Sequence, residues 1–193
     1  MESHPTVITQ QLLKRALRHH KWLMIALSAV LVIVLEDTKS YAQNTGKTIS
    51  AFQEFLGTRC FSRIIDGLPN VTSGLRQLDE GRSTRILQGR AGSVWYPDLY
   101  GIVLVLEDRP ICRVLALNVD TAQLRQAIET DIQNAGRGLK LVSRQSLPDG
   151  SEQTTYQAPL ANGDFLKVNF FTRKETRSGQ VQAMASVARV QPE

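Results

Sequence analysis

Histidine is missing from everything after residue 20: His4, His19 and His20 are the only three in the chain. Ser-His-Asp and Cys-His catalysis need an imidazole that accepts a proton near neutral pH, and zinc sites commonly use its ring nitrogen. Most familiar hydrolase chemistries are therefore excluded from residues 43–193, and no metal or cofactor is expected there. Cysteine is nearly as scarce, with only Cys60 and Cys112 and no C-x-x-C motif, so redox chemistry has no local support. No internal repeat of fixed period and no low-complexity tract is present. A chain of 193 residues that is 42% hydrophobic and 21% charged has the balance of one folded domain, which excludes collagen-like and wholly disordered readings.

Long apolar runs are also lacking, with one exception. Leu23 to Leu35 holds thirteen residues with Ser28 as the only polar side chain, preceded by Lys14, Arg15, Arg18 and Lys21. A positive flank ahead of an apolar core is the pattern of a secretory signal, with the amino terminus held inside. As a helix the run covers roughly 20 Å, short of the roughly 30 Å hydrocarbon core of a bilayer. Ser40 and Ala42 place small residues three and one before a cut ahead of Gln43, so cleavage between Ala42 and Gln43 is predicted. The expected organisation is a signal peptide over 1–42, with its apolar core at 23–35, and a single exported domain over 43–193. Glu36 and Asp37 follow the run directly and the leading region is long, so the alternative is an uncleaved anchor.

Beyond residue 42 there remain 18 cations and 15 anions, a net charge of +3. So small an excess lacks the dense basic stripe that nucleic acid requires, and no nucleic-acid partner is expected. Export would place Cys60 and Cys112 in an oxidising compartment, where a disulfide is predicted. Closing so long a loop restricts the unfolded chain by about 4 kcal/mol.

Ile49, Phe52, Leu56 and Cys60 recur at steps of three or four, widened by Phe55, Ile64 and Ile65; they predict a helix that stops near Asp66-Gly67. A weaker helix is expected from about Val71 to Leu78, then mostly loop from Gly81 to Gly92. Ile102–Leu106 and Ile111–Leu117 read as a hairpin around Glu107-Asp108-Arg109-Pro110. Asp120 caps a helix whose buried face is Leu124, Ile128 and Ile132. Strands follow at 139–144, 153–158, 165–172 and 181–190. Pro148-Asp149-Gly150, Asn162-Gly163 and Ser178-Gly179 supply the turns between them. The predicted class is α+β: an amino-terminal helix, a hairpin, one more helix and a β-meander, with helices on one face of an antiparallel sheet.

Two clusters could carry binding. Arg76, Arg82, Arg85 and Arg90 gather guanidinium groups that suit carboxylate or phosphate, although Asp79 and Glu80 interrupt them and a solvated face accounts for such runs. Trp95 and Tyr96 could stack on a ligand or anchor an interface, but sealing the sheet's edge is the plainer role. Glu107 and Asp108 are expected at a solvated hairpin tip, where nothing shifts their pKa values toward catalysis. Gly136-Arg137-Gly138 follows a helix and so is no phosphate loop, and Asn70-Val71-Thr72 fits a glycosylation sequon.

These features predict a small exported protein, periplasmic or secreted, that binds rather than catalyses. An inhibitor, an immunity-type protein or an envelope-assembly accessory would fit. Its partner would be a protein or an anionic envelope component, and it would meet the membrane only through the signal. The alternatives are a membrane-tethered envelope subunit and a hydrolase using carboxylates without histidine, which needs a pocket lined by two or more Asp or Glu residues.

Overall fold

The computed structural model describes residues 45–97, 101–117, 119–173 and 181–192. The signal region, with Ala42 and Gln43, and the Ser178-Gly179 turn lie outside the described residues. Among the described residues, no helix is long and apolar enough to cross a membrane.

The first helix, α1, covers residues 45–65, and its middle turn, Phe55–Cys60, is wound as a π-helix. Its predicted stripe is buried: Phe52, Phe55, Leu56, Cys60 and Ile64 all face the core. Gly67 takes a positive φ of 67° just after the end, the conformation that terminates helices most cheaply without a Cβ. Arg59 then fixes the following loop, donating from Nη1 to the Val71 and Ser73 carbonyls at 2.6 and 3.1 Å while lying over the Phe55 ring.

The sheet strands are β1 (Arg76–Gln77), β2 (Gly92–Tyr96), β3 (Ile102–Glu107), β4 (Ile111–Leu117), β5 (Lys140–Ser146), β6 (Ser151–Pro159), β7 (Phe165–Arg173) and β8 (Val181–Val190). All pairings are antiparallel, in the spatial order β1-β2-β3-β4-β8-β7-β6-β5. Two more helices complete the domain: α2 (Glu80–Leu87) and α3 (Thr121–Asn134). Asp120 caps α3 as expected, its Oδ1 accepting from the backbone N–H of Ala122 and Gln123 at 2.9 and 3.0 Å. Leu124, Ile128 and Ile132 form the buried face of α3.

In connectivity the fold is a duplication. A helix followed by a four-stranded meander occurs twice, α1 with β1–β4 and α3 with β5–β8, and the halves meet where their last strands, β4 and β8, pair antiparallel. A rotation about an axis normal to the sheet exchanges them. No repeat is visible in the amino acids; what the halves share is connectivity.

Alternation along each strand decides which side faces which layer. Leu104, Leu106, Cys112, Val114, Ala183, Ala185, Val187, Val168 and Phe170 point to the α1 and α3 side and join one core with them. The small side chains of Ala116, Ala183 and Ala185 on the central strands leave room for α1. Cys60 and Cys112 form the predicted disulfide there, with Cα atoms 5.2 Å apart.

The second face carries the main departures from expectation. The stretch expected as loop contains α2, whose cap is Asp79, accepting from the Arg82 N–H at 3.0 Å. This helix lies on the face opposite α1 and α3, where Leu87 joins Val94, Val105 and Leu115 in a second, smaller core. Sequence reasoning missed it because Ile86 and Leu87 are its only large apolar residues, too few to set a period. The helix expected at Val71–Leu78 is instead a turn leading into β1, since Gly74 takes a positive φ of 75° and ends it after a single turn.

Candidate functional site

An open groove of about 650 Å³ runs beside α2 along the face that α1 and α3 do not cover. Its floor is built by alternation: Leu115 on β4, Met184 on β8 and Phe171 on β7 stand side by side across three neighbouring strands. One step back along the strands, Arg113 sits opposite Ser186, which sits opposite Asn169. One step forward, β7 ends at Arg173, opposite Ser151. An apolar stripe is thus flanked on both sides by guanidinium groups. Arg85 and Gln88 at the carboxyl end of α2, with Arg90 after it, complete the wall.

Two of these cations are fixed from below. Glu107 is only 3% exposed and its Oε1 holds both Arg90, at 2.9 Å, and Arg113. The carbonyl of the same residue accepts from Arg63 of α1 at 3.3 Å, so one residue ties the groove to the helix layer behind the sheet. The expectation of a solvated turn carboxylate at Glu107 is therefore corrected: it ends β3 facing inward, and only Asp108 is exposed. The charge of the buried carboxylate is balanced by the two arginines, as a buried charge must be. Burial pushes the Arg113 guanidinium below its ordinary value, with Glu107 opposing and Arg90 reinforcing the shift; at neutral pH it remains a cation.

At the far end Arg173 donates to Asp149 Oδ2 at 2.7 Å. The Ser151 hydroxyl and backbone N–H, and then Arg173, hold the Asp149 carboxyl down at about 2. Arg85 makes no ion pair among the described residues. Among the described residues no Asp, Glu, His, Cys, Lys or Tyr lines the groove, and Ser186 supplies the one hydroxyl. A nucleophile needs a neighbouring base within hydrogen-bond reach, and none of the described lining residues offers one.

Of the six residues proposed from sequence, Arg85 and Arg90 lie in the groove wall. Arg82 is outside the groove lining and pairs with Asp79 at 3.3 Å. Arg76 is on the edge strand β1, opposite Tyr96 of β2. Trp95 faces the main core, packed against it, with Nε1 donating to Ser93 Oγ at 2.8 Å. The aromatics expected before the first strand are thus part of a strand, and neither Trp95 nor Tyr96 lines the groove. Arg113, Arg173, Phe171 and Met184 were missed because the groove is assembled by strand register. The one signal in the amino acids is Arg113, a charge inside an otherwise apolar strand.

A smaller cavity of about 390 Å³ lies between α1 and α3, lined by Leu56, Phe61, Ile128 and Ile132. Gln53 donates to Asp131 across it at 2.8 Å, and Arg137 lies over the Phe61 ring. Among the described residues no group of three or more His, Cys, Asp or Glu side chains could hold a metal ion. No family model matches the chain, and no curated protein or solved structure matches it.

Proposed function

We propose that this is an exported binding protein, not an enzyme, and that the arginine-walled groove is its binding surface for an anionic protein or envelope component. The observation that carries the reading is the apolar floor of Leu115, Met184 and Phe171 between opposed guanidinium groups. Such a surface supplies desolvation and charge complementarity while offering no acid, base or activated nucleophile. The carboxylate-dependent hydrolase draws no support from it, since among the described residues no carboxylate lines the groove. The buried Cys60–Cys112 bridge is compatible with an oxidising compartment.

The test is affinity capture from the native envelope, comparing the wild-type protein with the Arg85→Ala, Arg173→Gln double variant. A component retained by the first and lost by the second is the expected result. Identical retention by both would remove the groove from the function. Mass spectrometry of the mature amino terminus addresses export separately: a start at Gln43 is expected, whereas an intact leader would favour a tethered subunit.

A further inference from the structure

Resting on that reading, we propose that the groove's occupant is an acidic amphipathic helix of a partner protein, which lies over the second half of the sheet as α2 lies over the first. The duplication supplies the first argument. In the first half the connection from β1 to β2 contains α2, which covers Val94, Val105 and Leu115. In the second half the corresponding connection, from β5 to β6, is a short turn around Asp149 and Gly150. Among the described residues the same face therefore has no helix over β6, β7 and β8.

Dimensions supply the second argument. Leu115, almost covered by α2, forms the near margin of the stripe, and the half-buried Met184 and Phe171 carry it over the next two strands; the three strands span roughly 10 Å, about the rise of two helical turns. Apolar side chains at steps of three, four and seven along a helix cover that distance in one stripe. Arg113 and Arg173 stand one alternation step to either side, separated by roughly 13 Å along the strand direction. A helix with its side chains is about 10–12 Å across. Its two flanks would therefore sit within reach of both arginines.

Charge supplies the third. Arg85, Arg90, Arg113 and Arg173 line the groove, and among the described residues two carboxylates touch them, Glu107 and Asp149. The surplus is positive and lies at the wall of Arg85, Arg90 and Arg113, whereas Arg173 is matched by Asp149, which selects Asp and Glu chiefly on the flank of the incoming helix that meets that wall. An acyl chain with an anionic head would be served by cations at one end of an enclosed tunnel, whereas this groove is open and charged along both walls.

The test is a displayed library of random peptides of roughly 16 residues, long enough for a helix of about four turns. It is selected on the disulfide-bonded protein and counter-selected on the Arg85→Glu, Arg173→Gln variant. The expected winners are net negative, carry apolar residues at helical spacing, and bind the wild type about tenfold more tightly than the variant. Their binding weakens as salt is raised. Phe171→Ser should weaken them as well, while Arg82→Glu, at the amino-terminal end of α2 and outside the groove lining, should leave them unchanged; matching unfolding midpoints show that each variant is folded.

Failure to enrich any sequence over the counter-selection, or winners that are neutral or basic, would overturn the helix. In parallel, vesicles of phosphatidylglycerol are tested. If they bind in an Arg85- and Arg173-dependent way and no peptide does, the helix is wrong while the anionic groove stands. If the double variant leaves envelope capture untouched, the broader reading fails first.

Discussion

The two halves of this domain share one connectivity but differ in how they are covered. The first half is sandwiched: α1 lies on one face, pinned to β4 by the Cys60–Cys112 bridge, and α2 lies on the other over a core of its own. The second half has α3 on one face and an open, mixed surface on the other, and ends at an exposed edge strand, β5. Closing both faces spends apolar residues such as Leu87 and Val94 on stability. Leaving one face open keeps Asn169, Phe171 and Arg173 available for something else.

Removing what is special to the first half should have the largest effect. Replacing both Cys60 and Cys112 with Ser, or reducing the bridge, should lower stability by about 4 kcal/mol, since the cross-link spans a sequence separation of 52. Denaturant unfolding with and without reductant measures this. A loss below about 1 kcal/mol would mean that burial alone holds α1 to the sheet. Glu107→Gln should cost about 3 kcal/mol, because it leaves Arg113 part-buried without its counter-charge. Restoring stability by adding Arg113→Met in the same chain would identify the charge, and not the shape, as the cause.

The sharpest comparison places equivalent truncations on the two outer faces. Leu87→Ala under α2 should cost about 2 kcal/mol, whereas Phe171→Ala in the open half should cost about 1 kcal/mol or less. Equal losses in parallel denaturation curves would show that the second half is packed as tightly as the first. The smallest effect belongs to the Asp149 turn. Its folded carboxyl, near 2, lies below the ordinary value near 3.9. The contribution is therefore complete above about pH 4 and disappears as pH falls through about 2. An NMR titration of this carboxyl should give the low midpoint, and one near 3.9 would indicate that Ser151 and Arg173 do not hold it.

What could be read from the amino acids follows the same division. The second half was readable because its elements are regular: Asp120 caps a helix with a full apolar face, and the strands from 140 to 190 alternate between turn-forming residues. The first half was readable only where a period ran long enough, as in α1. Eight residues of α2 with two large apolar side chains gave no period, and β2 was hidden by reading Trp95 and Tyr96 for their chemistry rather than their strand propensity. Gly92 held the missing clue to that strand. A Cβ there would lie 2.3 Å from the Leu106 carbonyl oxygen, so glycine lets β2 start flush against β3. The groove itself was beyond reach, since Leu115, Phe171 and Met184 meet only through pairings between distant strands.

The strand order carries a consequence for synthesis. The centre of the sheet is filled by β8, residues 181–190, wedged between β4 and β7. Until those residues leave the ribosome, each meander has a bare inner margin and the shared interior has no keystone. A nascent chain of this design would have a divided sheet until β8 emerges to join its two parts.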